Sequence, residues 1–260
     1  MPVIFNILGP LSVAVDGELV PVGGRRARIV LAVLALEANW VVPVDDLVDA
    51  VWGSSPPASA RTQIRICISS MRRSFAAAGA PDLIETHPQG YRLILAEDQL
   101  DATVFDARVR RARSLIAGNH LKEATDTLRR ALSLWTGPAL VGLTSPPVES
   151  GARRLEEARL RAVEERVRLD LELGRHQDII GELMQLAADH PYREHLHAQL
   201  MLGLYRSHRT AEALEVYRRI RSTLVEELGI EPGPELADLE KSILLGMERD
   251  QVVGNGAWAS

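Results

Sequence analysis

Two short apolar runs, "VIFNILG" and "LSVAV", lie either side of Gly9-Pro10 and predict two strands. Asp16-Gly17 is a hairpin-turn dipeptide, and the strand-like "ELVPV" follows it. From Arg25 the pattern changes. "RRARIVLAVLALEAN" has no breaker and is apolar at nearly every position, which predicts a helix buried on most sides. "VVPVDDLVDAVWG" then predicts a short helix, with Asp45 and Asp46 where a helix N-terminus favours acids and Gly53 as its stop. After Pro56-Pro57, Ile64, Ile68, Met71 and Phe75 recur at i, i+4, i+7 and i+11. At 100° per residue they fall within about 60° of one another, one apolar stripe on a third helix, flanked by Ala60 and Cys67. "DLIETHPQGYRLIL" closes the region as strand, turn and strand, with Pro88-Gln89-Gly90 at the turn.

Beyond about residue 100 the periodicity is helical throughout. Helix pairs are predicted around Gly118-Asn119, around Gly174 and around Ser207-His208, with a last helix from Pro234 to about Glu248 and a frayed end, 249–260. The turns at Gly174 and Ser207 are 33 residues apart, close to the roughly 34-residue tetratricopeptide period. The earlier gap is longer by about 22 residues, matched by the Pro/Gly-rich "TGPALVGLTSPPVESG". The fold expected is mainly α with a small α+β N-terminal part: a winged helix-turn-helix over 1–97, then a tetratricopeptide-like α-solenoid over 98–248.

Charge sharpens one element. The chain is acidic, with 30 Lys+Arg against 35 Asp+Glu. Residues 1–97 are near neutral, with 8 Arg and 9 acids. Yet "SARTQIRICISSMRRSFAAAG" holds Arg61, Arg65, Arg72 and Arg73 and no acid. Opposite the apolar stripe the wheel puts Thr62, Arg65, Ile66, Ser69 and Arg73, with Arg61 and Arg72 on the shoulder. Taken alone, such a helix has two readings: a solvated basic face, or a surface that meets phosphate. Two helices before it and a hairpin after it favour the second, a recognition helix for the major groove with a wing beside it. Arginine grips a phosphate, or the O6/N7 edge of guanine, through two hydrogen bonds. Thr62 and Ser69 can bond phosphates or bases, and exposed Ile66 suits a thymine methyl. Gln89 and Arg92 would reach DNA from the wing. Gly23-Gly24 before Arg25 and Arg26 could hold an anion at a helix start, a DNA phosphate first, or be a plain hairpin-to-helix turn.

Other chemistry is sparse. A single cysteine, Cys67, excludes an intramolecular disulfide framework and fits a reducing cytosol; the wheel turns it toward the core, against a redox switch. No apolar run approaches the roughly 18 residues of a membrane span, and no signal peptide is evident, so a cytoplasmic protein is expected. There is no P-loop, no G-x-G-x-x-G after a strand and no G-x-S-x-G. His190, His195 and His197 lie within eight residues, but Pro191 interrupts them and His195 and His197 are about 200° apart on a helix. No metal, no cofactor and no catalytic residue is therefore expected. The Glu/Arg alternation of 152–172 reads as a long solenoid helix with i,i+4 pairs such as Glu164–Arg168 on its wet face, rather than a coiled coil. Trp135 and Tyr205 are expected to fill gaps between helices.

"ILGPLSV", "GGRRARIVLAVLAL", "VDDLVDAVWGSSPP", "ISSMRRSF" and "GYRL" resemble the Streptomyces antibiotic regulatory protein family, whose N-terminal domain is an OmpR-type winged helix. "ALSLWTGPAL", "RLEEARLRAVEERV", "LGRH" and the long "HPYREHLHAQLMLGLYRSHRTAEALEVYRRIRSTLVEELGIEPGPEL" are similar to the bacterial transcriptional activation domain that follows it. The resemblance spans roughly residues 2–247. It implies a non-enzymatic activator of biosynthetic genes. Its partners would be double-stranded DNA, as direct repeats near the promoter −35 element, and RNA polymerase holoenzyme including its sigma factor. It also implies a head-to-tail dimer on DNA and a polymerase-contact loop at Gly53, Ser54, Ser55, Pro56 and Pro57. Relatives often carry Arg where this chain has Ser70 and Gln where it has Arg65, which implies a shifted base preference. A protein-interaction adaptor, its winged helix docking on protein instead of DNA, is the alternative.

Overall fold

A computed structural model describes residues 2–247, so the expected tail at 249–260 lies outside the described residues. Packing divides the chain into two compact units that meet in sequence at Ala162 and Val163.

The first unit opens with an antiparallel meander, β1 (Val3–Asn6), β2 (Ser12–Val15) and β3 (Glu18–Leu19). Val3 pairs with Val15 and Phe5 with Val13, and these four side chains are buried while Ile4 between them is exposed. The β2–β3 turn is made by Asp16 (φ 51°) and Gly17 (φ 87°), the paired left-handed conformation that a two-residue type I′ hairpin requires. Helix α1 (Arg25–Leu36) is buried at eight of twelve positions, as its unbroken apolar run demands. Strand β4 (Val41–Pro43) leads into α2 (Val44–Trp52), and α3 (Ala60–Ala77) follows an exposed loop.

Strands β5 (Ile84–His87) and β6 (Gly90–Leu93) form the wing hairpin, and β4 adds to β6 in the order β4-β6-β5. Gly90 sits where β6 crosses β4 most closely. A Cβ there would lie 1.9 Å from the Val42 carbonyl oxygen, so this position admits no side chain.

The hairpin of α4 (Asp101–Ala117) and α5 (Leu121–Leu132) belongs to the same compact unit as the winged helix. Its anchor is Asp101, whose carboxylate accepts from the main-chain N–H of Ile7 (3.0 Å), Leu8 (2.9 Å) and Ala102 (2.8 Å). Burial raises the Asp101 pKa, and the three N–H donors pull against that rise. The Pro/Gly-rich stretch after α5 returns to the same strand end: Thr136 N–H donates to the Leu8 carbonyl and Leu140 N–H to that of Ile7. Ser145 Oγ then donates to the Ala50 carbonyl at the end of α2. Trp135 fills a gap as expected, edge-on to Phe105 and beneath Arg159. Helix α6 begins at Pro146 and runs to Glu172, across the division between the units.

The second unit holds the rest of α6 with α7 (His176–Asp189), α8 (Glu194–Arg206), α9 (Thr210–Thr223) and α10 (Pro234–Leu244). A π-helical turn, Leu224–Leu228, extends α9. Helix α8 is central: every residue from Leu196 to Tyr205 is buried. The expected wet-face pair Glu164–Arg168 is corrected here. Glu164 is buried and meets Arg193, while Arg168 pairs with Glu172. Alternating charge set at helical spacing left the inward face undetermined, and packing against α8 decided it.

Candidate nucleic-acid interface

Helix α3 is built as the apolar spacing requires. Ile64, Ile68, Met71 and Phe75 are all but fully buried, and Phe75 meets Phe5 edge-on at 6.0 Å. Burying each such side chain stabilises by about 1.5–3 kcal/mol, enough to fix which face of α3 turns outward. That outward face carries Thr62, Arg65, Ile66, Ser69 and Arg73, all exposed. Ile66 is 59% exposed, a position with no gain in water.

The arginines divide into two sets. Among the described residues, Arg65 and Arg73 make no hydrogen bond or ion pair within the chain. The others are engaged. Arg61 pairs with Asp45 at 2.6 Å, with both side chains about two-thirds exposed, so the pair is worth at most about 1 kcal/mol and opens readily. Arg26 donates to Gln63 Oε1 and lies 5.4 Å over the Trp52 ring, joining the start of α1 to α3 and α2. Arg25 donates to the Thr144 carbonyl at 3.2 Å.

Arg72 departs from the expectation of a DNA-facing guanidinium. Its Nε and Nη2 donate to the Ile84 carbonyl at 3.1 and 2.8 Å, and Nη2 also reaches Thr86 Oγ1 at 2.8 Å. Half-buried, it fastens the recognition helix to the first wing strand. Arg92 is tied across the wing to Glu85, its partner in the strand register. Gln89 occupies the exposed wing turn, with its carbonyl accepting from Val44 N–H at 3.1 Å. Asp45 read only as a helix-start acid, and its pairing with Arg61 and that of Thr86 with Arg72 went unseen, because a helical wheel shows one element and not what stands beside it.

The loop Gly53–Pro57 is exposed at every residue, and Gly53 (φ 60°) ends α2. Cys67 is half-buried; burial raises its thiol pKa, and Arg26 pulls it down less strongly. The histidines that invited a metal reading are dispersed: His195 Nε2 meets Gln199 Nε2, and His197 is buried in α8. Among the described residues no cluster of three or more metal-ligating side chains forms, and no helix is long and apolar enough to cross a membrane.

Residues 22–93 match the family described as "Transcriptional regulatory protein, C terminal", and residues 100–244 match the "Bacterial transcriptional activator domain". The regulatory protein DnrI of Streptomyces peucetius is 40% identical over 252 residues, covering 92% of this chain and 91% of that one. The transcriptional regulatory protein MoaR1 of Mycobacterium tuberculosis is 38% identical over 96% of this chain and 82% of its own length. The regulatory protein AfsR of Streptomyces coelicolor is 38% identical over 92% of this chain, which spans 24% of it. Among solved structures, Mycobacterium tuberculosis EmbR in complex with a low-affinity phosphopeptide superposes with a TM-score of 0.91 at 35% identity, covering 96% of this chain and 67% of EmbR. The winged-helix match precedes the activator-domain match along this chain, and the chain belongs to the Streptomyces antibiotic regulatory protein family of transcriptional activators.

Proposed function

We propose that this activator binds direct repeats beside the −35 element of biosynthetic promoters, as a head-to-tail pair in the cytoplasm, and recruits RNA polymerase holoenzyme there. The observation that carries the reading is the outward face of α3. Two unpaired guanidinium groups, Arg65 and Arg73, stand among Thr62, Ser69 and an exposed Ile66, and a packed apolar stripe holds that face rigid. Rigid presentation matters because base-edge hydrogen bonds require fixed donors.

In this reading Arg65 and Ile66 read bases, while Arg73, Thr62 and Ser69 bind phosphate or base edges. Arg61 joins them by exchanging Asp45 for a phosphate. Arg72 acts by holding the wing in place, and Gln89 and Arg92 meet the backbone from it. Arg25 and Arg26 lie at the start of α1, where main-chain N–H groups favour an anion. The exposed loop Gly53, Ser54, Ser55, Pro56 and Pro57 faces the polymerase, including its sigma factor. Residues 1–97 serve as the DNA-binding domain and 98–248 as the activation domain. The regulators this chain matches are not enzymes, and the proposal assigns it no catalysis.

Footprinting on the DNA upstream of the genes beside its own tests the reading. Two protected half-sites in the same orientation, on one face of the duplex, are expected. A single site, inverted half-sites or no protection would contradict it. Arg65→Gln should change the preferred base at one position in each half-site by about 1–3 kcal/mol.

A further inference from the structure

The first unit holds a groove of about 730 Å³ between the end of α1, β4, α2 and the start of α6. Trp40 lines it with 71% of its surface exposed, and Pro43, Pro146 and Pro147 beside it are exposed as well. A tryptophan left in water at the mouth of a groove is the kind of anchor that protein interfaces bury. The charge of the groove has one sign. Asp46 and Asp49, one helical turn apart on α2, both line it, and neither carboxylate has a hydrogen bond or ion pair among the described residues. Glu37 lines it too, but Arg154 meets that carboxylate at 3.5 Å. No lysine, arginine or histidine is among the described residues of its lining.

The same unit carries the complement. Helix α4 sets Arg108, Arg110, Arg111 and Arg113 against two acids, Asp106 and the buried Asp101. Arg108 donates to the Arg130 carbonyl at 2.6 Å, and Arg113 is engaged within the chain. Arg110 and Arg111 are exposed and make no side-chain hydrogen bond or ion pair among the described residues, although Arg110 acts electrostatically on Asp106. At 100° per residue these two flank Ala107 and Ser114, small side chains that let this face of the helix approach a partner closely. No residue of α4 lines the groove, so the basic face and the acidic groove are separate surfaces of one unit.

We infer that, on DNA, the basic face of α4 in one copy of this chain docks in the acidic groove of the next copy. Arg110 and Arg111 meet Asp46 and Asp49, and Trp40 lies against the arginine stems and the small residues between them. The inference rests on the proposed pairing on direct repeats. Half-sites in one orientation relate the copies by translation, so the contact must join two different surfaces, and a groove and a helix face of opposite charge are such a pair. One helix face in one groove covers less than the roughly 800 Å² a side of a stable complex. The pair therefore forms where the duplex holds two copies at high local concentration, and not between free chains.

Gel-shift titrations of the full chain test this, comparing DNA that carries both footprinted half-sites with DNA that carries one. The tandem-to-single affinity ratio should exceed about tenfold for the unmodified chain. Arg110→Glu with Arg111→Glu, and Asp46→Arg with Asp49→Arg, should each bring it to about one, since like charges then face each other. All four positions are exposed, so circular dichroism should show the fold retained. Mixing the two double variants should restore cooperative binding, because the acidic helix of one meets the basic groove of the other; a merely structural role would give no such rescue. A footprint without a second half-site removes the direct-repeat reading and the inference with it. Two half-sites filled independently, a ratio that survives either double variant, or a mixture that restores nothing would overturn the inference alone. A groove kept for a cationic segment of the polymerase would leave the ratio unchanged in the Asp46 and Asp49 variant. Loss of single-site affinity and of salt slope in the Arg110 and Arg111 variant would place those arginines on DNA, and would overturn the inference as well.

Discussion

At the scale of single residues, the outward face of α3 is set by what each guanidinium does when no DNA is present. Among the described residues Arg65 and Arg73 have no partner, Arg61 is loosely held, and Arg72 is built into the wing. In the sequence the wheel set Arg65 and Arg73 on the outward face and Arg61 and Arg72 on its shoulder, but all four read alike as DNA contacts. What separates them is the company of other elements: Asp45 beside Arg61, and Ile84 and Thr86 beside Arg72. Two contrasting outcomes follow. Asp45→Asn frees Arg61 and removes a carboxylate from the phosphate path, so DNA affinity at low salt should rise by up to about fivefold, the equivalent of an exposed ion pair. Arg72→Ala should weaken binding and also loosen the wing, visible as faster amide exchange over β5. An Arg72→Ala variant with unchanged exchange there would place Arg72 on the contact surface after all.

At the scale of elements, legibility followed the strength of the local pattern. The i, i+4, i+7, i+11 stripe of α3, the Asp16-Gly17 hairpin and the Pro88-Gln89 wing turn are dictated by residues near in sequence, and each element stands where those residues put it. Helix α6 was legible as a helix but not in its orientation, because Glu and Arg alternate on several faces. Only its neighbours decide that Glu164 turns in. Gly90 shows the same limit: it read as a turn residue, whereas its need is the close approach of β4. Gly90→Ala should therefore disrupt the β4–β6 pairing and reduce DNA affinity without altering α3. Ile68→Ala, which removes a side chain 1% exposed, should cost about 2–5 kcal/mol in urea unfolding.

At the scale of the whole molecule, composition placed a change of character near residue 97, where strands give way to helices. Packing divides the chain elsewhere, at Ala162, because the α4–α5 hairpin and the Pro/Gly-rich stretch bond back to the first strand through Asp101, Thr136 and Leu140. Secondary structure is written locally, but the side of a helix that binds a strand end 94 residues away is not. Asp101→Ala would strand the buried N–H groups of Ile7 and Leu8 at about 1–3 kcal/mol each, so a marked fall in the melting temperature of the winged-helix unit is expected. Stability should also depend on pH. Burial lowers the pKa values of His195 and His197, so the unfolded chain binds these protons more readily than the folded one. Stability is then greatest above pH 6.5, the ordinary histidine value, and declines as pH falls through it. Urea midpoints at about pH 7.5 and pH 5.5 should differ in that direction, and less so in His197→Phe.

The central claim is that α3 meets a duplex through charges left free by the fold. Its most direct test is the affinity of the full chain for its footprinted promoter, measured across salt concentration and compared with Arg73→Ala. Affinity should fall steeply with salt, and the log–log slope should drop by roughly 0.9 in the variant, the share of one neutralised phosphate. An affinity indifferent to salt, or a slope that Arg73→Ala leaves unchanged, would contradict that claim.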